Sequence, residues 1–211
     1  AEIARAGGVA KICNGSRLAK ISGSSGFPHL RHLPLDASPR PSGKRKVMYL
    51  SSFIRNRRKN ASHTLSELVY TDWSMRLVEY LSTLPVDLLC KPHPASRLVD
   101  GSHPLEAIAP ISHEPFERIM GEADVYVFDA ISSTTFWEAA CTNRPIVYID
   151  LGQVRRNPLV ELMVRERCQL LEARYDSNNL PQIDTEELAE AVAGGTNSAD
   201  PGDFRRLLMG A

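Results

Sequence analysis

The stretch Asp124–Asp150, DVYVFDAISSTTFWEAACTNRPIVYID, decides the fold of this chain. Its apolar run Val125–Phe128 predicts a buried strand, and a polar loop rich in hydroxyl groups follows that strand. Residues Thr134–Thr142 have a helical pattern, and a second apolar run, Pro145–Ile149, comes next. A strand, a helix and a second strand in this order predict parallel strands joined by a right-handed crossover.

The same alternation extends in both directions from this stretch. Further strands are predicted at Lys46–Leu50, Val86–Cys90, within Leu105–Ile111 and, as an edge strand, at Cys168–Leu171. Further helices are predicted at Leu65–Leu84, Pro115–Gly121, Pro158–Arg167, Asp184–Val192 and Asp203–Met209. Short apolar strands that alternate with helices are typical of a parallel sheet covered on both faces. We therefore predict an α/β fold with a Rossmann-like parallel sheet and helices on both of its faces.

Polar residues follow the predicted strands at the points where the strands end. Lys91-Pro92-His93-Pro94 follows one strand, Asp129–Thr135 follows another, and Ser51 and Ser52 follow the first. In an open parallel sheet, ligands bind outside the carboxyl ends of the strands. These loops are therefore expected to face one crevice, with Lys91, Ser51 and Ser52 as phosphate ligands.

His93 lies between two prolines, which restrict the backbone and present the imidazole in a fixed direction. Such a side chain can bind a phosphate or protonate a leaving group. The alternative is a loop histidine that makes only a structural hydrogen bond. Its proximity to the second polar loop favours the functional interpretation.

The hydroxyl groups of Ser132, Ser133 and Thr134 offer donors for the phosphates of a nucleotide, but one of them can equally be a helix N-cap. Asp129 can orient this loop, receive a proton from an acceptor, or serve as the acceptor of an Asx-turn. Glu138 lies one helical turn beyond Thr134 and is a candidate ligand for a ribose hydroxyl.

Composition excludes several classes of protein. The 211 residues contain 25 Lys and Arg and 25 Asp and Glu, so no global basic field favours nucleic acid as a partner. The basic cluster Arg55–Lys59 is interpreted as a solvated loop in preference to a site for an anionic acceptor. Neither a Gly-x-Gly-x-x-Gly nor a Walker motif occurs, and without an Asp-x-Asp motif no metal is predicted.

The four cysteines are widely spaced, and Cys90 and Cys141 are expected to be reduced core thiols of an intracellular protein.

No stretch approaches the roughly 18 apolar residues of a membrane-spanning helix, and no signal peptide is visible. We expect a cytoplasmic location, with peripheral association at the inner face of the cell membrane as an alternative. The initial Ala1 suggests a fragment of a longer chain.

A family resemblance unites these motifs. The chain resembles the C-terminal domain of GT-B glycosyltransferase-like enzymes, above all CDP-glycerol glycerophosphotransferases of teichoic-acid synthesis and capsular-polysaccharide transferases. Bacterial sialyltransferases have a similar pairing of His-Pro with Ser-Ser/Thr. The resemblance covers roughly Ser22 to Gly152, and its residues are Gly26–His29, Lys91–Pro94, Pro115–Met120, Ala123–Val125, Asp129 with Ser132–Thr134, Glu138-Ala139 and Arg144–Tyr148.

The resemblance implies a division at residue 45, with the end of an N-terminal domain and a linker in 1–45 and a nucleotide-donor-binding domain in 46–211. It implies that His93 and the hydroxyl loop hold the donor phosphates, with no cofactor besides the nucleotide-activated donor, which is a substrate. An N-terminal domain, absent from this chain, would bring a polysaccharide or polyol-phosphate acceptor. The family often reads Asp-Tyr-Ser-Ser, whereas here Ala130-Ile131 separates Asp129 from the serines. Two alternatives remain: an enzyme similar to UDP-sugar 2-epimerases, and a non-catalytic nucleotide-binding module.

Overall fold

A computed structural model gives the fold of most of the chain. It describes residues 28–33, 35–36, 43–52, 65–94, 96, 98, 100–194 and 200–209. The basic cluster at Arg55–Lys59 and two residues that contribute to the family resemblance, Gly26 and Phe27, lie outside the described residues.

Strands and helices alternate along the described residues. The strands are β1 (Arg45–Leu50), β2 (Val86–Lys91), β3 (Val125–Phe128), β4 (Ile146–Asp150), β5 (Gln169–Glu172), β6 (Arg174–Tyr175) and β7 (Pro181–Gln182). The α-helices are α1 (Glu67–Thr83), α2 (Phe116–Ile119), α3 (Thr134–Ala140), α4 (Pro158–Arg167), α5 (Thr185–Gly194) and α6 (Gly202–Met209). Short 3-10 helices occupy Pro28–His32, Pro104–Ala107 and Met120–Glu122.

The five longer strands form one parallel sheet in the order β2-β1-β3-β4-β5. The register is fixed in the centre, where Tyr49 of β1 lies between Cys90 of β2 and Val127 of β3. The chain moves from β1 outward to β2 and then returns to the other side of β1 as β3. This reversal makes the β1/β3 boundary a topological switch point, where loops diverge and leave a crevice at the carboxyl ends.

Successive strand residues point to opposite faces, and each face carries its own core. On one face, Val47 and Tyr49 pack with residues of α1 and α5, such as Trp73 and Leu188. On the other, the intervening strand residues pack with α2, α3, α4 and α6; among these residues are Met48, Tyr126, Phe128, Phe136, Val164 and Phe204. The prediction of an α/β, Rossmann-like sheet with helices on both faces is therefore confirmed.

Helix boundaries follow from capping side chains. Ser66 Oγ accepts a hydrogen bond from the Val69 amide at the start of α1, and Asn157 Oδ1 accepts one from Leu159 at the start of α4. The end of α3 is fixed by Arg167, whose guanidinium is buried and donates to the carbonyls of Ala140 and Thr142. Carbonyls at a helix end lack intrahelical partners, so Arg167 satisfies groups that would otherwise be buried unpaired.

The prediction of a strand within Leu105–Ile111 is wrong in its main part. Pro104–Ala107 is a 3-10 helix, with Leu105 fully buried, and only Ile111 joins the sheet, through an isolated parallel bridge to Cys90. The cause is local: Pro104 suits the first position of a helical turn, and His103 Nδ1 caps that turn by accepting from the Leu105 amide.

The segment before β1 packs on the same domain. Leu30, in the first 3-10 helix, is fully buried in the core that contains Phe136 and Phe204, and Leu35 joins that core. Asp36 forms an ion pair with Arg205 of α6. The domain boundary at residue 45 stays a prediction, but the described part of the preceding segment lies against the sheet domain.

Cys90, Cys141 and Cys168 are buried free thiols, and burial raises the pKa of the Cys90 and Cys141 thiols to about 12. Within the described part of the chain, no helix combines the length and the apolar character that crossing a membrane requires.

Candidate functional site

A cleft lies at the carboxyl ends of β1, β2 and β3, at the switch point of the sheet. Its walls are Leu50, Ser51, Ser52, Lys91, Pro92, His93, Pro94, Ala130, Ser133 and Thr135. The three strand-end loops predicted to face one crevice therefore meet. Of the predicted phosphate ligands, the cleft contains Ser51, Ser52, Lys91, His93 and Ser133.

Lys91 and Ser51 supply two buried polar groups in this cleft. Lys91 is only 8 % exposed, and burial is the main cause that lowers its pKa, while Glu117 and Glu138 act in the opposite direction. No carboxylate among the described residues forms a salt bridge with its ammonium. Ser51 is also 8 % exposed, and its Oγ has no hydrogen-bond partner among the described residues.

The hydroxyl-bearing residues 132–135 differ in role: one caps α3, and some line the cleft. Ser133 Oγ accepts a hydrogen bond from the Phe136 amide at 3.2 Å and is therefore the N-cap of α3, the alternative that the sequence left open. Ser132 and Thr134 are exposed and do not line the cleft. Thr135, which the sequence analysis did not select, lines it. The available signal was a further hydroxyl directly after Ser132–Thr134, in the first turn of α3.

His93 is exposed at the edge of the cleft, between Pro92 and Pro94. Its carbonyl accepts a hydrogen bond from the Ser96 amide at 2.9 Å, which closes a tight turn after β2. The imidazole therefore projects from a constrained turn next to Lys91. This placement allows the imidazole to contact a ligand in the cleft. The role of His93 in phosphate binding or leaving-group assistance stays a prediction.

Asp129 lies beneath the cleft instead of in its wall. Its carboxylate accepts hydrogen bonds from Tyr49 Oη at 2.6 Å, Tyr70 Oη at 2.8 Å and Trp73 Nε1 at 3.2 Å. Burial raises the pKa of Asp129, and these donors oppose that effect. Because Asp129 is only 4 % exposed, its carboxylate does not face an acceptor as a catalytic base would. Its placement fits the loop-orienting role that the sequence allowed.

Tyr70 connects this carboxylate to the loop after β1. While its Oη donates to Asp129, it accepts a hydrogen bond from the Ser52 amide at 2.6 Å. Tyr70 and Trp73 come from α1, and sequence reasoning missed both as contributors to the site. The available signal was their spacing of three residues on one helix face, with a polar group on each ring.

Glu138 lies in a second polar cluster next to Lys91. Its Oε1 is 3.2 Å from His29 Nε2, and burial, followed by the nearby Glu117, raises the pKa of its carboxyl group. Ligand atoms of His29, Glu117 and Glu138 lie within 4.8 Å of one another, a set that could hold a metal ion. The ammonium of Lys91 interacts electrostatically with both carboxylates, so a protein cation already offsets part of their charge.

A larger cavity, of about 550 Å³, lies at the opposite end of β1 and β2. Its lining includes the charged residues Lys46 and Glu122, the apolar residue Val86, and Ile108–Pro110. None of the predicted site residues contributes to it.

Comparisons with known proteins give few matches. No model of a protein family matches the chain, and no curated protein matches its sequence. Four chains of solved structure match, one of which is KpsC of Thermosulfurimonas dismutans, described as a beta Kdo 2,4 transferase. That match has a TM-score of 0.33 and 11 % sequence identity, and it covers 74 % of this chain and 55 % of the other. The chain thus spans about half the length of that protein.

Proposed function

We propose that this chain is the donor-binding part of a transferase that uses a nucleotide-activated donor. The observation that carries the proposal is that one cleft contains a buried Lys91 ammonium and a Ser51 hydroxyl with no hydrogen-bond partner among the described residues. A buried cation is costly unless an anion or hydrogen-bond acceptors accompany it, and Glu117 and Glu138 act on Lys91 electrostatically, with no salt bridge to it among the described residues. A phosphate group of a donor would supply the negative charge to Lys91 and an acceptor oxygen to Ser51.

The other polar residues of the cleft, and Glu138 in the neighbouring polar cluster, fit the same ligand. His93, at the edge, would contact a phosphate or assist the departure of the nucleotide, and the hydroxyl of Thr135 would add a donor near Ser133. Glu138, next to Lys91, would accept a hydrogen bond from a ribose hydroxyl. The transferase step would be a displacement at the donor, in which the bond to the nucleotide breaks as the bond to the acceptor forms. Oriented donors would stabilise the charge that develops on the leaving nucleotide.

The sequence resemblance favours a CDP- or CMP-linked sugar or polyol phosphate as the donor. It also favours a polysaccharide or polyol-phosphate acceptor, in the synthesis of capsular polysaccharide or a polymer similar to teichoic acid. A second domain, N-terminal to this one, would bring that acceptor. In this proposal the protein acts in the cytoplasm, with peripheral association at the membrane where such polymers are assembled.

Calorimetric titration of the chain with CDP, CMP and UDP tests the proposal. We expect binding that weakens at least tenfold in Lys91→Met, which removes the charge but keeps an unbranched chain, and several-fold in His93→Ala. Lys44→Ala is the matched control, since Lys44 is an exposed lysine just before β1, at the other end of that strand. Its affinity should equal that of the unmodified chain.

The titration also separates the alternatives. Absence of binding to any of the three nucleotides would reject the donor-binding proposal. Preference for UDP would favour the epimerase alternative. Binding without turnover, when the full-length protein is assayed with acceptor, would favour a non-catalytic module.

A further inference from the structure

The buried carboxylate of Asp129 has more partners than a simple loop contact requires. Tyr49, Tyr70 and Trp73 each direct a ring donor at it, from β1 and from α1. All four residues are buried, and Asp129 follows β3 directly. The carboxylate therefore connects the end of β3 to β1 and to α1 at the switch point, directly under the cleft.

Of the three aromatic residues, Tyr70 is the one that also contacts the wall of the cleft. Its Oη accepts a hydrogen bond from the Ser52 amide, and a backbone hydrogen bond from Ser52 to Asp129 itself also helps to lower the pKa of that carboxyl group. Tyr49 Oη has the shortest contact with the carboxylate; it also contacts Ser74 Oγ at 3.4 Å, inside the core, and hydrogen-bonds to Tyr70. Both tyrosines donate to Asp129, but in the described part of the chain it is Tyr70 that also accepts a hydrogen bond from the loop.

The consequence concerns Ser51. The Tyr70–Ser52 hydrogen bond fixes the backbone immediately after Ser51, whose buried Oγ lines the cleft without a partner among the described residues. A hydroxyl group held in place before the ligand arrives loses less freedom on binding. We propose that Asp129, acting through Tyr70, is a positioning residue that holds the Ser51–Ser52 loop in the conformation that receives the donor phosphate.

This inference rests on the proposed function for the identity of the ligand, but its structural step can be tested alone. In the unmodified chain, the Ser52 amide should be protected from hydrogen exchange, as read by NMR. Tyr70→Phe removes the hydroxyl and keeps the ring, so exchange at Ser52 should become about tenfold faster. Tyr49→Phe removes one hydrogen bond from the same carboxylate and the hydrogen bond to Tyr70, but leaves the Tyr70–Ser52 hydrogen bond in place, and is the matched control. It should leave Ser52 exchange within about twofold.

Titration with CDP and CMP supplies the functional measurement. Affinity should fall about five- to tenfold in Tyr70→Phe and stay near that of the unmodified chain in Tyr49→Phe, even though both lose stability. Equal effects of the two variants on Ser52 exchange would overturn the inference, because the network would then be purely a core contact. An unprotected Ser52 amide in the unmodified chain would overturn it as well. If no nucleotide binds, the proposed function fails, and the exchange measurement still decides whether Tyr70 holds the loop.

Discussion

Asp129 and Glu138 are two buried carboxylates within ten residues of each other, and their surroundings differ. Asp129 accepts hydrogen bonds from three aromatic residues of its own domain. Glu138 contacts His29, a half-exposed side chain 109 positions away, and faces the like charge of Glu117. Burial raises the pKa of both carboxyl groups. Burial alone therefore does not define a role: the carboxylate with three donors organises the fold, and the carboxylate beside a like charge remains able to bind a ligand.

The largest effect is expected for Asp129→Ala. It leaves three buried ring donors without an acceptor, each worth about 1–3 kcal/mol, so we expect the free energy of unfolding to fall by about 3 kcal/mol or more. Urea denaturation measures this, with Asp87→Ala as a control because Asp87 lies exposed on β2. A loss below about 1 kcal/mol would erase the contrast between the two carboxylates.

A smaller effect is expected for Trp73→Phe, which removes the Nε1 donor and leaves a small cavity. We expect a loss of about 1–2 kcal/mol in the same denaturation experiment. In the double variant with Asp129→Ala, the loss of unfolding free energy should be smaller than the sum of the losses in the two single variants. The reason is that Asp129→Ala already removes the acceptor of the Trp73 donor. Full additivity would show that Trp73 contributes by packing alone.

The smallest effect is expected for Glu138→Gln, and it should depend on pH. The folded pKa of Glu138 is raised, so the stability linked to its protonation is present below the ordinary value of 4.5 and is lost as pH rises through the folded pKa. The Gln variant should therefore be more stable than the unmodified chain near neutral pH, within about 1 kcal/mol, and should lose that advantage in acid. Thermal unfolding across pH measures this.

His29→Ala is the companion variant for that measurement. It removes a contact that lowers the pKa of Glu138, so it should enlarge the advantage of Gln at position 138 at neutral pH. An advantage that does not vary with pH would contradict the assigned origin of the effect.

Much of the fold is predictable from the chain because its strand signals are local. Apolar runs such as Val125–Phe128 and helix caps such as Ser133 depend on neighbouring residues, and these elements form close to where the sequence predicts them. The meeting of the loops after β1, β2 and β3 also follows from the rule for parallel sheets. The Leu105–Ile111 error arose because apolar residues suit a buried 3-10 turn as well as a strand.

The partners of the site side chains could not be predicted in the same way. Asp129 meets Tyr70, 59 positions away, only because α1 crosses that end of the sheet. Likewise, Glu138 meets His29 only because the segment before β1 packs against α3. Both contacts depend on the packing of distant elements, whereas the loop residues themselves follow from the strand ends.

The sheet order has a consequence for how the chain folds as it is synthesised. β1 emerges first but needs β3 to complete its pairing, and the contact of the Lys46 amide with Asp124 closes a separation of 78 residues. Until β3 emerges, β1 can pair only with β2, and its other side has no partner strand. Long-range parallel pairing is intrinsically slow, and such an open edge is prone to intermolecular association. β1 therefore waits longest for its second neighbour, because β3 needs only β4, and β4 only β5, which follow closely in the chain. The interval between the synthesis of β2 and of β3 is the period of greatest risk.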